Sequence, residues 1–151
     1  MSKKEEQALR LDAQLFFPLY AASNLLTRLY RPLLDELGLT YPQYLVMLVL
    51  WQQAPASVGE LSEKLYLDSG TLTPLLKRLE AAGLVRRQRS AVDERRVEVS
   101  LTPNGEALKK RALKVPGAMG CRIGMENERF IGLRAELQAL MLLLGEAQSN
   151  S

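Results

Sequence analysis

Residues 66–101 read YLDSGTLTPLLKRLEAAGLVRRQRSAVDERRVEVSL, and this stretch decides the fold of the chain. It opens with a helix that Asp68 or Ser69 can cap and that Gly83 ends. Two strand-like runs follow the glycine, with arginines around the turn between them. This order of elements predicts a winged helix-turn-helix, which places one helix in a DNA major groove and a hairpin beside it.

The flanking sequence completes a mainly α chain with a small β-wing. Leucines at three-to-four spacing predict a first helix over about residues 8–37, with Pro18 and Pro32 expected to kink or interrupt it. The other predicted elements are helices over about 41–53, 58–66, 69–82, 103–115 and 127–146, and strands over 84–89 and 97–101.

Capping residues mark the ends of several predicted elements. Gly38 is expected to end the first helix, and Thr40 to cap the second. Ser57 and Glu60 have the spacing of a capping box. Residues 116–117, a proline and a glycine, loosen the helical pattern beyond the wing.

The long apolar terminal segments predict an assembly. We expect residues 1–151 to form a single domain with a DNA-binding lobe over about 41–102. Residues of about 1–40 and 103–151 are apolar on more than one face, which favours N- and C-terminal helices that form a two-fold dimer interface. The alternative is that they thicken a monomeric core.

Composition excludes several classes of protein. The chain contains one cysteine and no histidine, so a zinc site or a Ser-His-Asp catalytic set is not expected. No cofactor and no enzymatic activity are predicted. No apolar run is long enough for a membrane helix, and the N-terminus does not read as a signal peptide, so we expect a cytoplasmic protein without a membrane partner.

Positive charge is concentrated around the quoted stretch. The net charge is only +3, yet residues 64–96 contain eight Lys and Arg against four Asp and Glu. A charge run taken alone is usually a solvated surface. Here it coincides with the helix and the hairpin, which favours double-stranded DNA as the partner.

Short hydroxyl side chains lie at the start of the predicted recognition helix. Ser69, Thr71 and Thr73 can reach base edges or phosphates, although capping alone would also explain Ser69 and Thr71. Lys77 and Arg78, one turn further on, can reach the sugar-phosphate backbone.

The turn of the hairpin carries an Asp-x-Arg pair. Asp93 can accept from the local backbone or from Arg95 and so shape the tip, which leaves Arg95 as the candidate for a minor groove. The bland alternative is a solvated turn with a surface ion pair. The flanking arginines expected to contact phosphates are Arg86, Arg87, Arg89 and Arg96.

These residues resemble a known family. The quoted stretch, together with LDAQLFFPLYAAS (residues 11–23) and YRPLLDELGLTYPQYLVMLVLW (residues 30–51), resembles the MarR family of winged-helix repressors, and within it the OhrR-type branch that senses organic hydroperoxides. The resemblance covers nearly the whole chain. It implies a helical homodimer that represses a peroxide-resistance gene from an inverted-repeat operator.

The resemblance also implies a sensor pocket. OhrR-type proteins carry a reactive cysteine in a motif like LDNQLCFALY, and Phe16 stands at that position here. Tyr30 and Tyr41, with Tyr20 nearby, match tyrosines that hydrogen-bond the family's thiolate. Cys121 lies where two-cysteine members carry a resolving cysteine, which the family pairs with the reactive cysteine of the other subunit. A phenylalanine cannot be oxidised to a sulfenic acid, so the family's first sensing step is missing.

Several explanations therefore stay open. In the first, the regulator has lost redox sensing and its inducer is a small molecule in the dimer cleft. In the second, a hydroperoxide acts through Cys121 alone. In the third, Phe16 is a deliberate substitution that removes the sensor. Cys121 and the tyrosines can also be simple packing residues. Two other functions compete with the regulator: a Cys121-dependent peroxidase, which lacks a histidine to activate the thiol, and a winged-helix module for protein contacts only.

Overall fold

The structure, a computed structural model, describes residues 1–151 as two compact units, Met1–Val115 and Pro116–Ser151. The first unit contains α1 (Lys3–Ala8), a 3-10 turn (Leu11–Ala13), α2 (Phe17–Asp35), α3 (Tyr41–Gln52), β1 (Ala56–Ser57), α4 (Val58–Leu65), α5 (Ser69–Ala81), β2 (Val85–Arg89), β3 (Val97–Leu101) and α6 (Pro103–Ala112). Helix α7 (Val115–Ile123) begins at the unit boundary, and α8 (Asn127–Ser149) follows it.

A leucine-rich core holds the recognition helix in place. All four leucines predicted to face inward on α5, Leu72, Leu75, Leu76 and Leu79, are buried. Helix α3 is central, as its apolar sequence predicted, and it buries six of its residues. The predicted winged helix-turn-helix is therefore confirmed. Burial of these apolar faces fixes α5 against α3 and leaves the polar side of α5 exposed.

The wing is part of a three-stranded antiparallel sheet with the order β1-β3-β2. Strands β2 and β3 pair along their full length, with Arg87 opposite Val99, and both strands agree with the prediction to within one residue. Strand β1 was not predicted. Its two residues follow Pro55 and pair with β3, and two residues are too few to show an alternating pattern.

Two helices, α2 and α5, end at the glycines that the sequence predicted as their C-terminal caps. Gly38 and Gly83 have φ values of 70° and 75°, in the left-handed region. In both cases the residue after the glycine donates to a helix carbonyl five residues back, from Leu39 to Leu34 and from Leu84 to Leu79. These are Schellman ends, which require the conformation that glycine adopts without strain.

The prediction of one helix over residues 8–37 was wrong. Pro18 lies at the start of α2, where a helix needs no amide donor, so α2 begins only at Phe17. The side-chain amide of Gln14 donates to the carbonyl oxygens of Ala8 and Arg10 at 2.8 and 2.9 Å and closes the preceding turn. Pro32 does not interrupt α2, which continues past it to Asp35.

Two further local predictions need correction. The helix expected to reach residue 115 ends at Ala112, and Pro116 and Gly117 lie in the first turn of α7, where a missing donor has no cost. The capping box at Ser57 is only half formed. Ser57 accepts from the N–H of Glu60 at 3.0 Å, but the Glu60 carboxylate binds an arginine instead.

The terminal helix α8 has no buried residue. Its exposed apolar side chains include Phe130, Leu133, Leu142 and Leu143. None of the helices is both long and apolar enough to cross a lipid bilayer. The apolar surface of α8 thus remains uncovered in the single chain.

Candidate nucleic-acid interface

The start of the recognition helix α5 is capped by Asp68 and not by Ser69. Asp68 Oδ1 accepts from the N–H of Thr71 at 2.7 Å. This backbone hydrogen bond holds the pKa of the Asp68 carboxyl below its usual range. Since the carboxylate serves as the cap, the exposed hydroxyl of Ser69 is available to a ligand, whereas the hydroxyl of Thr71 also hydrogen-bonds Asp68.

Thr73 is placed differently from the other two hydroxyl residues. Its Oγ1 donates to the carbonyl of Ser69 at 2.8 Å, and the residue is only partly exposed. The hydroxyl proton is therefore used within the helix, and only the acceptor side of Thr73 can face a ligand. Lys77 and Arg78 are exposed further along α5, and neither forms an ion pair.

The tip of the wing is shaped by its own hydrogen bonds. Asp93 Oδ1 accepts from the N–H of Arg95 at 3.1 Å, which is the local backbone contact expected of this aspartate. Ser90 Oγ accepts from the N–H groups of Val92 and Asp93 at 3.2 and 3.3 Å. Arg89 donates to the carbonyl of Glu94 at 3.0 Å. The turn is therefore held in one shape before any ligand arrives.

The arginines of the wing fall into two classes. Arg86 and Arg95 are exposed and have no carboxylate within ion-pair distance. Arg87 binds Glu80 of α5 at 3.1 Å, and Arg96 binds Glu60 of α4. The two glutamates were not predicted as part of the site, because nothing in the local sequence indicates these partners.

A groove lies between the wing and the two helices of the helix-turn-helix. Its lining includes Ser57 at the end of β1, Gly59 of α4, Thr73 of α5 and Arg95 of the turn. The groove thus brings Thr73, in the second turn of α5, and the tip of the wing to one face. Two of the arginines that line it are paired with carboxylates, and Arg95 is the exposed cation that this face offers to a polyanion.

Comparisons with known proteins agree with this geometry. A family model described as transcriptional regulator SarA/Rot matches residues 28–112. The organic hydroperoxide resistance transcriptional regulator of Bacillus subtilis is 47% identical over 136 residues, which cover 90% of this chain and 90% of that protein. The chain belongs to the MarR family of winged-helix transcriptional regulators, in its OhrR-like branch.

Solved structures of MarR-type regulators share the fold. The structure of reduced AbfR bound to DNA is 35% identical, with a TM-score of 0.74, and the match covers 95% of this chain and 99% of that one. Wild-type MarR from E. coli is 25% identical, with a TM-score of 0.67, over 84% of this chain and 96% of that one. The curated relatives are named as transcriptional regulators.

In this MarR-type chain, the structure gathers only part of the predicted sensor pocket. The rings of Tyr30 and Tyr41 lie 4.7 Å apart, and Tyr44 completes the cluster at 5.9 Å from Tyr30. Burial raises the pKa of all three phenols. Tyr44 was missed, although its spacing from Tyr41 on α3 places both on one helix face.

Phe16 and Tyr20, two other predicted pocket residues, lie apart from this tyrosine cluster. Phe16 and Tyr20 are at the start of α2 and are 51% and 68% exposed. Ten residues of helix separate Tyr20 from Tyr30, which is about 15 Å along the axis. Cys121 is an exposed, unpaired thiol on α7. No group of His, Cys, Asp and Glu side chains is arranged to hold a metal ion.

Proposed function

We propose that this chain is a homodimeric transcriptional repressor in the cytoplasm that binds an inverted-repeat DNA operator and controls a gene for resistance to organic hydroperoxides. The observation that carries the proposal is the face formed by α5 and the wing, where Thr73 and the unpaired Arg95 line one groove. The B. subtilis relative is named for organic hydroperoxide resistance, and AbfR was solved on DNA.

Each part of this face has a separate role in the proposal. Ser69 and Thr71 read base edges in the major groove, and Lys77, Arg78 and Arg86 neutralise phosphates. Arg95 enters the minor groove beside them. Arg89 and Asp93 hold the wing tip in shape, and Thr73 contributes only an acceptor.

The homodimer follows from the uncovered apolar surface of the terminal segments. Helix α8 buries none of its residues, and Leu142 and Leu143 are 63% and 64% exposed. The start of the chain shows the same pattern, with Leu15 at 78%. Many large apolar side chains exposed on one segment favour an interface. We propose that residues of about 1–40 and 103–151 bind a second copy, while residues of about 41–102 form the DNA-binding lobe.

The input of the regulator is proposed from its thiol content. Phe16 occupies the position at which OhrR-type proteins carry the reactive cysteine, so we propose that the chain does not sense hydroperoxides through its first helix. Tyr30 and Tyr41 then belong to a tyrosine cluster without a thiol, and Phe16 and Tyr20 lie outside that cluster. Cys121 is the only group in the chain that an oxidant can convert to a disulfide.

Selection of DNA from a pool of random-sequence duplexes tests the output. The unmodified protein should enrich an inverted repeat whose half-sites lie about one helical turn, roughly 10 base pairs, apart. Such a repeat requires two recognition helices related by a two-fold axis. Recovery of duplexes without a common sequence, or of none at all, would contradict the proposal.

A further inference from the structure

Two carboxylate–arginine pairs tie the wing to the helix-turn-helix. Glu80 near the end of α5 binds Arg87 of β2, and Glu60 in the first turn of α4 binds Arg96 beside β3. The other two ion pairs of the chain, Arg10–Asp12 and Lys114–Glu36, lie outside this lobe. Each of the two helices α4 and α5 is therefore joined to the wing by one such pair.

The Glu80–Arg87 pair fixes the backbone of the wing as well as a side chain. Glu80 Oε2 accepts from the backbone N–H of Arg87 at 2.9 Å, and Oε1 accepts from its guanidinium at 3.1 Å. Strand β2 is at the edge of the sheet, so this N–H would otherwise have no strand partner. The bonds to Arg87 hold the pKa of Glu80 below its usual range.

Arg87 is turned into the lobe. Its side chain is only 26% exposed, and its Nε is buried without a hydrogen-bond partner. A guanidinium in this position has few N–H groups left to donate to a phosphate. The exposed Arg86 and Arg95 are better placed for that contact.

We infer that Glu80 and Glu60 are positioning residues for DNA binding, which set the wing relative to α5 so that Arg95 and the start of α5 meet one duplex together. This inference rests on the proposed function. Under it, Arg87 and Arg96 form the ion pairs that hold the wing against α5 and α4, and they do not contact phosphates.

The two possible roles of a carboxylate predict opposite changes in DNA affinity when it is removed. A carboxylate near a DNA-binding face repels phosphates, so its removal should strengthen binding if it has no positioning role. If the carboxylate positions the wing, its removal weakens binding even though a repulsive charge has gone. Glu94 offers a matched control, since it lies in the wing turn, is exposed and forms no ion pair.

The experiment measures the affinity of full-length variants for a duplex enriched by the unmodified protein, over a range of salt concentrations. Glu80→Gln should bind about three- to tenfold more weakly, since loss of a partly exposed pair changes an equilibrium by about this factor. Its salt slope should not change, because the phosphate contacts are the same in number. Glu94→Gln should bind equally or more tightly.

The Arg87→Gln variant distinguishes two roles of Arg87, an ion pair that positions the wing and a contact to a DNA phosphate. If Arg87 is a tie, the variant shows the same loss as Glu80→Gln, the double variant is no weaker than either single one, and the salt slope is unchanged. If Arg87 contacts a phosphate, its removal lowers the slope by about one unit. Melting temperatures are measured in parallel, since a purely structural role would lower stability without weakening the folded fraction's affinity.

The outcomes separate this inference from the proposed function. Equal or tighter binding by Glu80→Gln, or a lower salt slope in Arg87→Gln, overturns the positioning role while the unmodified protein still binds. Absence of binding by the unmodified protein overturns the proposed function, and the inference with it. If Glu80→Gln does not fold, Glu60→Gln is judged by the same criteria.

Discussion

Arg95 and Arg96 are neighbours in the chain with different surroundings. The guanidinium of Arg95 is exposed without a partner, whereas that of Arg96 binds Glu60, 36 residues earlier. The sequence identified both as basic residues of the wing, since their types and spacing are local features. It could not separate the free arginine from the paired one, because a partner so distant in sequence is fixed only by the packing of α4 against the wing.

At residue 16, a single side chain decides whether the start of α2 can respond to peroxide. We expect cumene hydroperoxide to release the Phe16→Cys variant from DNA within minutes, since a thiol restores a group that can be oxidised. The unmodified protein should stay bound, and Cys121→Ser should behave like it. Release is followed by fluorescence anisotropy of a labelled duplex. Fast release of the unmodified chain that persists in Cys121→Ser would contradict the assignment of Phe16.

At the scale of elements, the ends of helices were the most predictable feature. Gly38, Thr40 and Gly83 act locally, and each ends or begins a helix where the sequence placed it. The break after α1, the two-residue strand β1 and the separate helix α7 were missed. Their patterns are short, and leucines at three-to-four spacing continue across the break near Gln14, so periodicity alone could not show them.

The cap of α5 makes stability depend on pH at the acidic end. Asp68 has a lowered pKa in the folded chain, so its stabilising effect is present above its ordinary value of 3.8 and is lost as the pH falls through the folded value. Asp68→Ala should lower the urea midpoint at pH 7, and Asp68→Asn, which can still cap, should lower it less. The gap between the native chain and Asp68→Ala should narrow below about pH 4. A gap that is constant with pH would contradict this role.

The junction between the wing and α6 has no room for a side chain at position 105. A Cβ on Gly105 would lie 2.1 Å from the carbonyl oxygen of Leu84. Gly105 also donates to Thr102 Oγ1 at 3.0 Å and accepts from Trp51 Nε1 at 2.9 Å, so it cannot move away freely. Gly105→Ala should therefore lower the free energy of unfolding by about 3 kcal/mol or more, a large value for one substitution.

Urea unfolding of Gly105→Ala needs a control glycine in a helix with ordinary space around it. In α4, a Cβ at Gly59 would meet only Ser57 Oγ, at 3.8 Å. Gly59→Ala should be neutral or stabilise the chain by about 0.5–1 kcal/mol, because alanine loses less backbone freedom in a helix. Equal stability of the two variants would show that the junction is not tightly packed.

For the whole molecule, the apolar terminal segments are explained by a second copy. Leu143 of α8 is 64% exposed in the single chain, so Leu143→Glu should not disturb the fold of the chain itself. It should weaken self-association at least about tenfold, since a buried, unpaired charge costs more than 1.4 kcal/mol. Analytical ultracentrifugation measures the change. Glu136→Gln on the same helix is the control, and a monomeric unmodified protein would contradict the dimer.

The salt dependence of DNA binding tests the central claim most directly. The affinity of the unmodified protein for its enriched duplex is measured between about 50 and 200 mM salt, a range over which several phosphate contacts change affinity by orders of magnitude. The logarithm of affinity should fall linearly and steeply with the logarithm of salt concentration, and Arg95→Ala should bind more weakly at every concentration. A flat response, or an Arg95→Ala variant that binds as tightly as the unmodified protein, would contradict the assignment of this face to DNA.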